Sequence, residues 1–170
     1  MDNYDKIVES VAATLVAKGL ARPSELVGCT EDEIRQLEEG SKFRLPAAYR
    51  SFLARMGKSA GRMFVGSDAF FDILVQVQAW TQDMLAEAGH PGIIPPDAFT
   101  FLMHGGYIVL FFRTSEGDDP LVYRLNQSDT VSIKIADRFS EFLVAEADRC
   151  VAMRAMRAEF RKKHGLDERK

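Results

Sequence analysis

The spacing of hydrophobic positions changes period along this chain. Tyr4, Ile7, Val8, Val11, Leu15 and Val16 recur every three or four residues, which predicts a helix over 3–18 closed by Gly19. Pro, Ser and Gly in ARPSELVG mark a loop. Thr30-Glu31-Asp32-Glu33 has the form of a capping box; Ile34 and Leu37 follow as a short apolar stripe, and Gly40 is the expected stop. In RLPAAYRSFLARMG, Pro46 suits the first turn of a helix, where a missing N–H costs nothing. Tyr49, Phe52, Leu53 and Met56 then share a face, and Gly57 ends it. Leu45 is a poor cap, so its expected role, like that of Tyr49, is packing. RMFVG at 62–66 reads as a short strand. Residues 70–88 read as a helix with Leu74, Val77, Trp80, Met84 and Leu85 inward, although FFDILVQV also suits an extended start.

From residue 98 the period becomes two. Phe99, Phe101 and Met103 are expected on one face of a strand that ends in the turn His104-Gly105-Gly106. YIVLFFR is apolar at every position but its last, as a central strand covered on both sides would be. After the SEGDDP turn, LVYRLN alternates, and VSIKI follows with Val131, Ile133 and Ile135 expected inward. A long helix starts near Asp137 with Phe139, Phe142, Leu143, Ala147 and Cys150 inward, and RKKHGLDERK is expected to fray. Helices, then strands, then a helix define an α+β fold: a mostly antiparallel sheet of about four to five strands, packed by N-terminal helices and a long C-terminal helix. At 170 residues the chain suits a single domain, 1–170.

Composition adds two constraints. The net charge is −3, but it is unevenly placed. After residue 150, seven basic residues face three acidic ones, a net +4 that leaves −7 on residues 1–150. An acidic body disfavours nucleic acid and favours a basic partner. Cys29 and Cys150 have no metal-binding or redox spacing, so reduced thiols and a cytoplasmic location are expected. The first residues lack the basic-then-apolar pattern of a signal peptide, and no apolar run is long enough to span a bilayer.

No phosphate-binding, dinucleotide-binding, nucleophile-elbow or zinc-protease motif occurs, and no cofactor or metal site is expected. An enzyme would need His104 and a carboxylate in one polar pocket. The remaining candidates are acidic. Glu116, Asp118 and Asp119 cluster in one turn, and Asp68 and Asp72 lie about the start of the helix read over 70–88. A solvated turn is the plain reading of the cluster. The sharper one makes all five a contact surface for a basic protein.

Two stretches resemble the SUKH superfamily. Ile34, Leu37-Glu38, Leu45-Pro46, Tyr49, Phe52-Leu53 and Gly57 follow its N-terminal signature. Ile94-Pro95, Asp97-Ala98-Phe99, His104, Gly106-Tyr107, Phe111-Phe112, Asp119-Pro120, Val122-Tyr123 and Phe139 to Leu143 are similar to its sheet region. The resemblance covers roughly 28–145 and leaves 1–27 and 146–170 as helical extensions. It implies an α+β fold and a non-catalytic role: an immunity protein that binds and neutralises a bacterial toxin of the nuclease or deaminase type, or a regulatory or scaffold module of the Smi/Knr type. It supplies no catalytic residues. The expected partner is a protein; a homodimer is compatible, and neither nucleic acid nor membrane is expected.

Overall fold

The computed structural model describes residues 3–166. Its elements run α1 (Asn3–Ala17), β1 (Leu26–Val27), α2 (Glu31–Ser41), α3 (Ala47–Met56), β2 (Ser59–Ala60), β3 (Ser67–Asp68), α4 (Leu74–Glu87), β4 (Ala98–His104), β5 (Ile108–Arg113), β6 (Val122–Asn126), β7 (Ile133–Ala136) and α5 (Phe139–Lys163). Strands β3 to β7 form a five-stranded antiparallel sheet in chain order, and β1 pairs with β2 in a small separate ribbon. The α+β architecture expected from the sequence is the one observed.

Local chemistry explains the helix ends. The Thr30 hydroxyl accepts from the Glu33 amide, and the Glu33 carboxylate accepts from the Thr30 amide at 2.7 Å, so the capping box forms. Gly40 does not stop α2. The helix runs on to Ser41, and Lys42 adopts the left-handed conformation that closes it (φ 62°). Pro46 is the residue before α3 and brings no side-chain cap. Leu45 is buried beside it, with its amide held by Glu38 at 2.8 Å, while the Ala48 amide donates to the Asp118 carbonyl at 2.9 Å. The Leu-Pro pair therefore seats α3 against the β5–β6 loop by packing and backbone pairing.

The sheet is covered on both faces. On one side Phe99, Phe101, Phe112 and Val122 meet α1, α3 and α5. Tyr49 sits at the centre, its ring 5.1 Å from Phe112 and 5.2 Å from Phe139. It is fully buried, its hydroxyl has no hydrogen-bond partner, and desolvation pushes that phenol well above its ordinary pKa. On the other side Val77, Met84 and Leu85 of α4 cover Ala98, Met103, Val109, Phe111 and Leu125. With both faces buried, β5 is the central strand its sequence suggests.

Several expectations need correction. Residues 62–66 form turns, and the strand there is the two-residue β3. The stretch at 71–73 is a single 3-10 turn leading into α4, not extended chain. Met103 does not share a face with Phe99 and Phe101. The register skips from Thr100 to Leu102, so Phe101 is an extra residue in a bulge and the parity inverts beyond it. Trp80 is 40% exposed, on the flank of α4. Val131, Ile133 and Ile135 are 71%, 51% and 42% exposed, because β7 is the last strand and no element covers them. Helix α5 stays ordered through Lys163; the end of the stretch expected to fray, 167–170, lies outside the described residues.

Candidate interaction surface

The structure splits the five acidic candidates between opposite ends of the sheet. Asp68 lies on β3, paired with Met103 at the His104 end of β4. Asp72 follows in the 3-10 turn after it, where the Phe71 amide bonds to Gly57 beyond the C-terminus of α3. Glu116, Asp118 and Asp119 sit in the loop after β5, whose last residue pairs with Ala98 at the start of β4. The length of β4 separates the two groups by about 20 Å. One compact patch of all five does not form.

The loop acids differ in what they do. Asp119 accepts from the Ser140 amide at 2.9 Å and its hydroxyl at 2.6 Å. It thereby caps the first turn of α5, whose own N-cap residue Arg138 provides no side-chain cap. Glu116 accepts from the Tyr123 hydroxyl at 2.8 Å, and its other carboxylate oxygen is buried without a partner. Asp118 is exposed and lines an open cleft with Glu38, Arg44, Leu45, Ala47 and Arg50. Arg50 crosses this cleft, paired with Glu38 at 2.7 Å and with Glu31. Asp118 and Asp72 therefore remain available to a partner, and Asp68 is half-buried.

His104 is paired with a serine. Its Nδ1 lies 2.9 Å from the Ser67 hydroxyl at the surface end of β4, and among the described residues no hydrogen bond or ion pair joins it to a carboxylate. No group of three or more His, Cys, Asp or Glu side chains among the described residues is placed to hold a metal ion. Cys29 and Cys150 are free thiols. Burial pushes Cys29 up to about 12, and burial followed by the Glu146 charge raises Cys150. No helix among the described residues is long and apolar enough to cross a membrane.

The surface that sequence reasoning missed is apolar. Beyond Val151 every described residue of α5 is exposed, including Met153, Met156 and Phe160. Arg154 marks where the helix leaves the body: its guanidinium donates to the Lys18 carbonyl at 2.9 Å and to that of Gly19, closing the C-terminus of α1. Spacing alone did not mark it: Phe160 stands five full turns beyond the buried Phe142, on the same side of the helix, and is exposed because α5 runs on past the body it packs against.

Compared with known families, residues 28–145 match the SMI1 / KNR4 family (SUKH-1), well over half of the chain. No curated protein matches the chain.

Proposed function

Because the chain belongs to the SMI1 / KNR4 family (SUKH-1), and so is a protein-interaction module of the SUKH superfamily, we propose that it is a non-catalytic immunity protein. It binds a cognate toxin of the nuclease or deaminase type in the cytoplasm and blocks the toxin's active site or substrate path. The observation that carries this reading is where the family's signature residues lie. Leu45, Tyr49, Phe52, Leu53, Phe99, Phe112 and Phe139 are all buried in one core. Such residues build a scaffold and leave recognition to the surface around it. Asp72 and Asp118, the exposed members of the acidic set, steer a basic partner in.

The test is co-purification with the tagged chain in its native host, followed by growth rescue. A near-stoichiometric partner with a toxin-like domain, whose lethality this chain suppresses, supports the proposal. A captured toxin that still kills in the presence of the chain refutes it. A second reading, a regulatory or scaffold module, draws on the exposed apolar side of α5 and takes over if only housekeeping proteins or the chain itself are recovered.

A further inference from the structure

Beyond this reading and independent of it, we propose that the protein self-associates by seating the outer half of α5 of one copy on the exposed side of α4 of another. The outer half of α5 is a preformed amphipathic helix. Met153, Met156 and Phe160 occupy one side at i, i+3 and i+7, with Arg157 and Lys163 flanking them and the His164 ring stacked on Phe160 at 4.3 Å. A helix that is already ordered binds at low entropic cost.

Charge favours one helix on another copy as the receiving site. The arm is basic, with a net +4 on residues 151–170, so two arms packed together repel. At the exposed β7 edge the acids are taken: Asp137 pairs with Lys134 at 2.6 Å and Glu141 with Arg138 at 3.9 Å, and Arg124 opposes Ile133. Most acids on the other helices are already occupied, and the exposed Glu39 and Asp148, which no ion pair among the described residues holds, lie on helices that also carry arginine. Glu31 and Glu38 pair with Arg50, Asp32 with Arg35, Glu33 with Lys58, and Glu9 with Arg55.

Helix α4 is different. It contains no Lys or Arg, and no ion pair among the described residues holds Asp83 or Glu87. Trp80, Asp83 and Glu87 stand at i, i+3 and i+7, the same spacing as the arm's apolar triplet, and all three are exposed. The lengths match as well. Met153 to Lys163 spans about 16 Å and α4 about 21 Å at the helical rise. Arm and receiver are different surfaces, so a reciprocal exchange closes a dimer and one-way seating grows a chain.

Sedimentation velocity on the full chain over a concentration series, at low and high salt, tests this. The expected result is a species heavier than the 19.1 kDa protomer whose population falls as salt rises. F160E, at an exposed position that leaves the fold intact by circular dichroism, should weaken association about tenfold or more. The pair D83K and E87K should do the same, and adding R157E and K163E to that pair should restore association in part. A monomer at every concentration overturns the proposal, as does association indifferent to the α4 charges. Binding of the monomer to phosphatidylglycerol vesicles, lost in F160E, would assign the arm to a membrane surface instead and also overturn it.

Discussion

The two edges of the five-stranded sheet are finished in opposite ways. At the β4 edge, β3 pairs with only the last two residues, Met103 and His104. The gap is closed by a side chain: the Gln78 amide donates to the Thr100 carbonyl at 2.7 Å and accepts from the Thr100 amide at 3.0 Å. One glutamine thus pairs with Thr100 as a neighbouring strand would, at a residue only 2% exposed. At the other edge, β7 presents Ile133 and Ile135 to solvent, with Lys134 the only charge among its four residues. The first edge is sealed by the chain itself. The second relies on a short strand, a lysine and a bulge opposite Val122/Tyr123 to discourage pairing. Isolated backbone groups must be satisfied where they are buried, whereas exposed ones need only be made unattractive.

Four measurements would break or sharpen this contrast. The largest effect is expected from Phe101→Ala, which empties the bulge beside the sealed edge; loss of about 3–5 kcal/mol should appear as a lower urea midpoint. Gln78→Leu keeps volume but leaves the Thr100 amide and carbonyl unpaired, at a cost of about 2 kcal/mol, and the Thr100 amide should lose hydrogen-exchange protection.

The third concerns Asp97, which pins the start of β4. Its carboxylate accepts from the Ser115 hydroxyl at 2.5 Å and from Arg113 Nε at 3.1 Å, and these partners, Ser115 first, hold its pKa below the ordinary 3.8. A pKa depressed in the folded state contributes stability above the unfolded value that is lost as pH falls through the folded one. Wild type should therefore exceed Asp97→Asn in stability at ~pH 7, and the gap should narrow in denaturant titrations carried below the ordinary value of 3.8. The smallest effect belongs to the open edge. Ile133→Thr should change stability by no more than about 0.5 kcal/mol while reducing aggregation on heating, read by light scattering.

The same contrast explains what could be read from sequence. The α3 segment was legible because its spacing and punctuation agreed, and Tyr49 lies in the core as its stripe implied. The bulge was not. AFTFLMH is apolar on both faces, so an extra residue at Phe101 leaves no mark on the alternation. In VSIKI the alternation is interrupted too, with Ile135 unpaired between Lys134 and Ala136, and the pattern did not say whether anything covers the strand; Ile133 and Ile135 were assigned to a core that only Ala136 of β7 reaches. Of the acidic candidates, Asp118 and Asp119 are adjacent in sequence but not in role. One carboxylate faces a cleft, and the other caps a helix that begins 20 residues later. Chain proximity recorded the cluster, while the tertiary partner that separates its members was not in the local pattern.

The extra residue at Phe101 also has a consequence for how this strand tolerates change. With it, the first half of β4 sends its odd-numbered positions toward α3, and the second half sends them toward α4. The bulge acts as a phase inverter between two half-strands. Deleting Phe101 would remove the unpaired residue and leave the flanking pairs in place, Thr100 with Phe111 and Leu102 with Leu110. The shortened strand would alternate in step with β5, so Phe99 would still face α3 and Met103 would still face α4. A deletion there therefore keeps both half-strands in phase and costs the Phe101 ring, whereas an added residue would throw one half out of phase, a frameshift in three dimensions.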